Sequence, residues 1–109
     1  MNDGPNYVRI RVDAIQKIQT IAKSCSHFKI GKTGQALADR FDSEYKETYD
    51  RIEHIYSSNQ KSEVDELEAY LIEYFQALDK YVGQCDNKAV GGGEMDSSST
   101  YYVYVVVKD

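Results

Sequence analysis

The chain has no tryptophan, a single proline, Pro5, and only two cysteines, Cys25 and Cys85. Two cysteines make no disulfide framework, and there is no CxxC or Cys/His cluster with metal-ligand spacing, so the sequence predicts a reduced, cytosolic setting. No apolar run approaches the roughly 20 residues that cross a bilayer, and Met1-Asn2-Asp3-Gly4-Pro5 has neither the basic nor the apolar region of a signal peptide. The expectation is a soluble intracellular protein with no membrane partner. Basic excess is missing too. With 13 Lys and Arg against 18 Asp and Glu, the net charge of -5 argues against a broad electrostatic nucleic-acid platform. Any phosphate contact must be local.

At 109 residues the chain fits one domain with a single core. Tyrosine is abundant, at ten residues, and joins a large apolar ring to a polar tip that suits core margins, pockets and interfaces. Tyr7 to Val12 alternates, with Val8, Ile10 and Val12 opposed to Arg9 and Arg11, which predicts a half-buried strand. Asp13 would then cap a helix carrying Ile15, Ile18, Ile21, Ala22 and Cys25 at three- and four-residue steps. A short strand over His27 to Gly31 leads through the glycines Gly31 and Gly34 into a helix from about Gln35 to Tyr45. Weak alternation from Tyr49 to Tyr56 predicts another strand.

Ser62-Glu63-Val64-Asp65 has the form of a capping box, opening a helix from about Glu63 to Val82. Its stripe of Val64, Leu67, Leu71, Ile72, Phe75, Leu78 and Val82 brings Glu68 to the core margin. Residues 84–99 turn to Gly, Ser, Asp and Asn, the composition of a mobile loop. Tyr101 to Val107, seven aromatic or β-branched residues in a row, predicts a central strand covered on both faces. The fold class is α+β: a small, mainly antiparallel sheet of three or four strands flanked by about three helices, with the C-terminal strand central.

The residues that carry chemistry are few. Phosphodiester cleavage needs an activated oxygen nucleophile and neutralisation of charge on the phosphorane and the leaving oxygen, often by a metal ion and a guanidinium. Glu68 is a candidate Mg²⁺ or Mn²⁺ ligand, since magnesium is held by one or two carboxylates with water and phosphate oxygens; the alternative is a stripe-edge glutamate paired with a lysine or arginine. Arg40 follows the glycine turn closely enough to fork onto a phosphate, or else is an ordinary surface arginine. Lys29 and Lys32 flank Gly31 and either steer a phosphate or are solvated. The turn lacks the GxxxxGK[ST] pattern of a P-loop. Either His27 or His54 could be a base, because imidazole as a side-chain type titrates near neutral pH, but a lone strand histidine is more often structural. Cys25 falls on an apolar stripe and is expected to be inert.

Phe28-Lys29-Ile30-Gly31-Lys32-Thr33 followed by Arg40, then Glu68-Ala69-Tyr70-Leu71-Ile72, then Asn87 ahead of Gly91-Gly92-Gly93, resembles the GIY-YIG nuclease superfamily, in particular its phage-associated branch with a YKIGKT-type second motif. The resemblance covers most of residues 27 to 107. It implies tyrosines on two strands, an arginine on the following helix, a metal-binding glutamate on a later helix and an asparagine near the end. Carried over by residue type and order, the catalytic set is Tyr102, Arg40, Glu68 and Asn87, with Glu68 on the metal and Phe28, Lys29, Gly31, Lys32, Thr33 and Tyr104 at the substrate. The family's first motif precedes the second; here its best match, Thr100-Tyr101-Tyr102-Val103-Tyr104, is C-terminal, which looks like a circular permutation. Tyr104 is the alternative to Tyr102 on the same face. Phe28, or Lys29 in the other register, stands where the second-motif tyrosine belongs.

Two functions are therefore expected in turn. One is a Mg²⁺- or Mn²⁺-dependent endonuclease that cleaves phosphodiester bonds of DNA or RNA, a DNA-binding hydrolase of the cytoplasm in a phage-infected bacterial host. The other is a binding module that keeps the phosphate pocket without turnover, recognising a nucleotide, a nucleic acid or a partner protein, or acting as a homo-oligomer.

Overall fold

The computed structural model describes residues 5–88 and 95–109. In chain order these form α1 (Pro5–Ala22), β1 (His27–Thr33), α2 (Leu37–Glu44), β2 (Arg51–Ser58), α3 (Lys61–Gln76), a 3₁₀ turn (Asp79–Tyr81) and β3 (Tyr101–Lys108). The fold is α+β: three helices around a three-stranded antiparallel sheet of order β1-β3-β2, with the C-terminal strand in the middle. Among the described residues no helix is long and apolar enough to cross a membrane.

β3 is central because both of its faces are apolar. Val103, Val105 and Val107 face one way, onto Phe28 and Ile30 of β1, Ala14 and Ile18 of α1, and Val64, Leu67, Leu71 and Phe75 of α3. Tyr104 and Val106 face the other way, onto Tyr45 and Tyr49 with Leu37 and Phe41 of α2 and Ile52 of β2. The sheet is thus a middle layer, with α1 and α3 on one side and α2 on the other.

The first element corrects the sequence expectation. Residues 7 to 12 are helical, and Asp13 lies inside α1 rather than capping it. The burial follows Tyr7, Ala14, Ile18 and Ala22 at helical steps, while Val8 and Val12 are 56% and 46% exposed. Two valines on the solvent face had produced a false alternation.

α3 begins at Lys61 after Gln60, with no side-chain cap, so Ser62 does not form the expected capping box. Glu63 instead accepts hydrogen bonds from the hydroxyls of Ser58 and Tyr56 at the end of β2. The helix also stops earlier than expected, at Gln76. Leu78 is extended and a 3₁₀ turn returns Tyr81 to the core against Phe28 and Phe75, leaving Val82 in solvent.

β1 is an edge strand, and its outer edge is closed by the segment after Gly83, where φ is +83°. Phe28 donates its amide to the Gln84 carbonyl at 2.9 Å and accepts from Asp86 at 2.7 Å. Asn87 then continues this ladder with its side chain: Oδ1 accepts from the Ile30 amide and Nδ2 donates to the Ile30 carbonyl, both at 2.8 Å. Residues 84–87 of the expected 84–99 loop are therefore pinned to the sheet. Residues 89–94 of that loop, with the triple glycine, lie outside the described residues.

Candidate functional site

The site begins with a missing side chain. Gly31 of β1 sits directly across from Tyr104 of β3, and the tyrosine ring lies over the bare glycine. A Cβ on Gly31 would come within 2.7 Å of Tyr104 Cε1, well inside contact distance. Folding the ring down over Gly31 brings its hydroxyl 2.8 Å from that of Tyr45 and 3.3 Å from Arg40 Nε, which donates to it. Gly31→Ala is therefore expected to destabilise the domain by about 1–3 kcal/mol and to displace the Tyr104 hydroxyl from Arg40. A thermal melt, together with the tyrosine signal in near-UV circular dichroism, checks both.

Arg40 projects from α2 and also pairs with Glu44 one turn on, at 3.0 Å. Burial alone would lower its pKa, but the Tyr104 hydroxyl and Glu44 outweigh burial and push it up, so the guanidinium stays charged. Burial, with the Tyr45 hydrogen bond, pushes the Tyr104 phenol well above its usual range against the pull of Arg40. Tyr104 therefore keeps its proton at neutral pH.

Across the edge of β1, α3 contributes Glu68, only 4% exposed in the middle of the apolar stripe. Lys32 Nζ is anchored on Asp65 at 2.8 Å and stands 3.8 Å from Glu68 Oε1, too far for a hydrogen bond. Oε1 is buried and has no hydrogen-bond partner. Burial pushes the Glu68 carboxyl up, Lys32 opposes this and Asp65 reinforces it.

These groups border one cavity of about 440 Å³ running along the outer edge of β1 between α2 and α3. Of the residues singled out from sequence, Lys29, Gly31, Lys32, Arg40, Glu68, Asn87 and Tyr104 all border it. Thr33 does not, but lines an adjoining cleft of about 240 Å³ that shares Lys32, Arg40 and Met95 with the cavity. Phe28 is fully buried against α3 and the 3₁₀ turn, packed edge-on against Phe75 and Tyr81, and so lies in the core, outside the cavity lining. Tyr102 is outside the cavity lining and packs edge-to-face on His54. Of the two candidate tyrosines, Tyr104 is the one at the arginine. Asn87 borders the cavity with its amide fully engaged by the Ile30 backbone.

Several cavity neighbours had no signal in the sequence. Tyr45 holds Tyr104, and Asp86 accepts from Tyr49 at 2.7 Å and meets His27 Nδ1 at 3.0 Å. Asp65, which anchors Lys32, lies three residues before Glu68 on the same helix, a spacing that was visible. Burial, reinforced by Asp86, pushes the Tyr49 phenol above its ordinary value. Burial also raises both thiols, Cys25 and Cys85, so both stay protonated.

Among the described residues no three His, Cys, Asp or Glu side chains converge as a ready-made metal centre. Of the three carboxylates that border the cavity, Glu44 is paired with Arg40 and Asp86 is engaged by Tyr49 and His27, which leaves Glu68 with an unpartnered oxygen, near a lysine already paired with Asp65. Such a set fits Mg²⁺ only as an ion that arrives with a ligand's phosphate oxygens and keeps most of its waters. No family model matches the chain, and neither a curated protein nor a solved structure does.

Proposed function

We propose that this cavity binds a phosphodiester of a nucleic acid and cleaves it with the help of Mg²⁺ or Mn²⁺. The observation that carries the reading is the meeting of Arg40, Tyr104, Lys32 and Glu68 on one cavity, and the likeness of the same stretches to GIY-YIG nucleases supports it. Glu68 would hold the metal, which when bound neutralises charge on the phosphorane and the leaving oxygen. Arg40 takes the non-bridging oxygens with its remaining donors. A water adds to phosphorus as the bond to the leaving sugar oxygen breaks, and the proton that the water loses is balanced by the one the leaving oxygen gains. Tyr104 orients that water by hydrogen bonding; holding its own proton, it does not act as the base.

A second reading is favoured by the Lys32 ammonium beside Glu68 and by the engaged amide of Asn87. In it the cavity recognises a nucleotide or nucleic-acid phosphate, alone or with a partner protein or second copy, without cutting. Both readings carry a cytoplasmic location, and the first a phage-infected bacterial host.

Plasmid, single-stranded DNA and RNA incubated with Mg²⁺, Mn²⁺ or chelator separate the two. Metal-dependent cleavage that falls by about 100-fold or more in Arg40→Ala, in a variant with an unchanged circular dichroism spectrum, is the expected result. Arg40-dependent binding with no cleavage selects the second reading. Neither cleavage nor binding sinks both.

A further inference from the structure

We propose that Tyr102 and His54 form a stacking platform for an unpaired nucleobase of the strand whose phosphate occupies the Arg40 cavity, so that the substrate class is single-stranded nucleic acid. The inference rests on the phosphodiester reading above and adds the part of the ligand that the cavity itself does not address.

Side chains two apart on a strand share a face, roughly 7 Å from one another. Tyr102 and Tyr104 are such a pair on β3. His54 lies directly across from Tyr104 and turns to the same face, where its ring meets that of Tyr102 at 6.1 Å and 76°. The layer contributed by α2 covers Tyr104 and Val106 but does not include this end of the face: His54 and Ser57 are exposed and Tyr102 is half-buried. Two rings at right angles form a corner in which a base can lie flat on one and meet the edge of the other.

The corner lies beside the cleft that adjoins the phosphate site. The cleft that shares Lys32 and Arg40 with the cavity reaches Thr33, and Thr33 is the cross-strand partner of Tyr102. The end of that cleft is therefore one strand spacing, roughly 5 Å, from the corner.

The charge balance points the same way. A chain of net charge -5 gains little from neutralising a run of phosphates, whereas stacking on an aromatic ring works without charge and for any base. Burial and the nearby Lys17 hold the His54 pKa below its ordinary value, which keeps that ring neutral at pH 7. In a duplex the bases are already paired and stacked, and reaching this corner would require flipping one out.

The test measures anisotropy of labelled short oligothymidylate, oligouridylate, an abasic deoxyribose-phosphate strand and a duplex, all in chelator to prevent cleavage. Expected for the wild-type chain is binding of the base-bearing strands about tenfold or more tighter than of the abasic strand, with the duplex no tighter than the abasic strand. Tyr102→Leu should reduce the base-bearing strands to the abasic level and leave the abasic strand unchanged, Tyr102→Phe should keep wild-type affinity, and Arg40→Ala should weaken all. Equal binding of abasic and base-bearing strands to the wild-type chain overturns the platform while leaving the phosphate reading standing. Failure of every strand to bind overturns both.

Discussion

A chain that ends at Thr100 is expected not to fold. β3 supplies residues to both hydrophobic clusters, Val103, Val105 and Val107 to one and Tyr104 and Val106 to the other, all of them fully or almost fully buried. It is also the strand with which both β1 and β2 pair, so its loss leaves neither of the others with a sheet neighbour. Full burial of each such side chain contributes about 1.5–3 kcal/mol, and five of them exceed the whole stability of an ordinary domain, about 5–15 kcal/mol, at least at its lower end. Far-UV circular dichroism and amide hydrogen exchange of the truncated chain should show loss of protection throughout β1, β2 and α3. A cooperative melt with native-like protection in β1 would refute the central role of the strand. The same arrangement means that the sheet cannot close until β3 is available.

That strand was also the most legible part of the sequence. A run of seven apolar β-formers has no polar face to show water, so it must be central, and the only question left was what covers it. The α3 stripe was legible for a related reason: Glu68 at a core position in an apolar 3.6-residue repeat has to be buried wherever the helix packs. α1 was misread because Val8, Ile10 and Val12 satisfy a strand pattern locally, while the Tyr7, Ala14, Ile18, Ala22 repeat that decides the matter needs four turns to become visible. The early end of α3 has no glycine or proline to mark it; what sets it is the demand of Phe28 and Phe75 for a third ring, supplied by Tyr81. At the candidate site, Arg40, Glu68, Lys29, Gly31, Lys32 and Tyr104 were named from residue type and order and border one cavity. Asn87 shows the limit of such reasoning. Its position beside the cavity follows from chain order, but the occupation of its amide by the Ile30 backbone depends on how the chain returns along an open sheet edge, and composition carries no information about that.

Glu68→Gln is expected to make the protein more stable at neutral pH and, under the nuclease reading, to abolish its metal-dependent activity. Burial raises the carboxyl pKa of Glu68 in the folded state above its value in the unfolded chain. The folded form therefore holds its proton to higher pH than the unfolded form does. Stability contributed by this group is complete below the unfolded value and is lost as pH rises through the folded one. The folded chain carries a buried carboxyl with one oxygen lacking a hydrogen bond, a deficit of about 1–3 kcal/mol. Glutamine has nearly the same shape and no charge to desolvate. It also leaves Lys32 with its closer partner, Asp65 at 2.8 Å, so no new unpaired cation is created. The variant should melt several degrees higher than wild type at pH 7, with the difference shrinking as pH falls below the ordinary carboxylate range. Lys32→Met should do the opposite, because it leaves Asp65 and Glu68 facing each other without a counter-charge. Melting curves from pH 4 to 8 on the three proteins decide the point: a Glu68→Gln chain that melts below wild type at pH 7, or a gap that does not change with pH, would mean that Lys32 already neutralises Glu68 in full. An acid buried in the middle of a helix stripe with an unpartnered oxygen, on one cavity with an arginine and a protonated tyrosine, is what a residue kept for a ligand rather than for folding looks like.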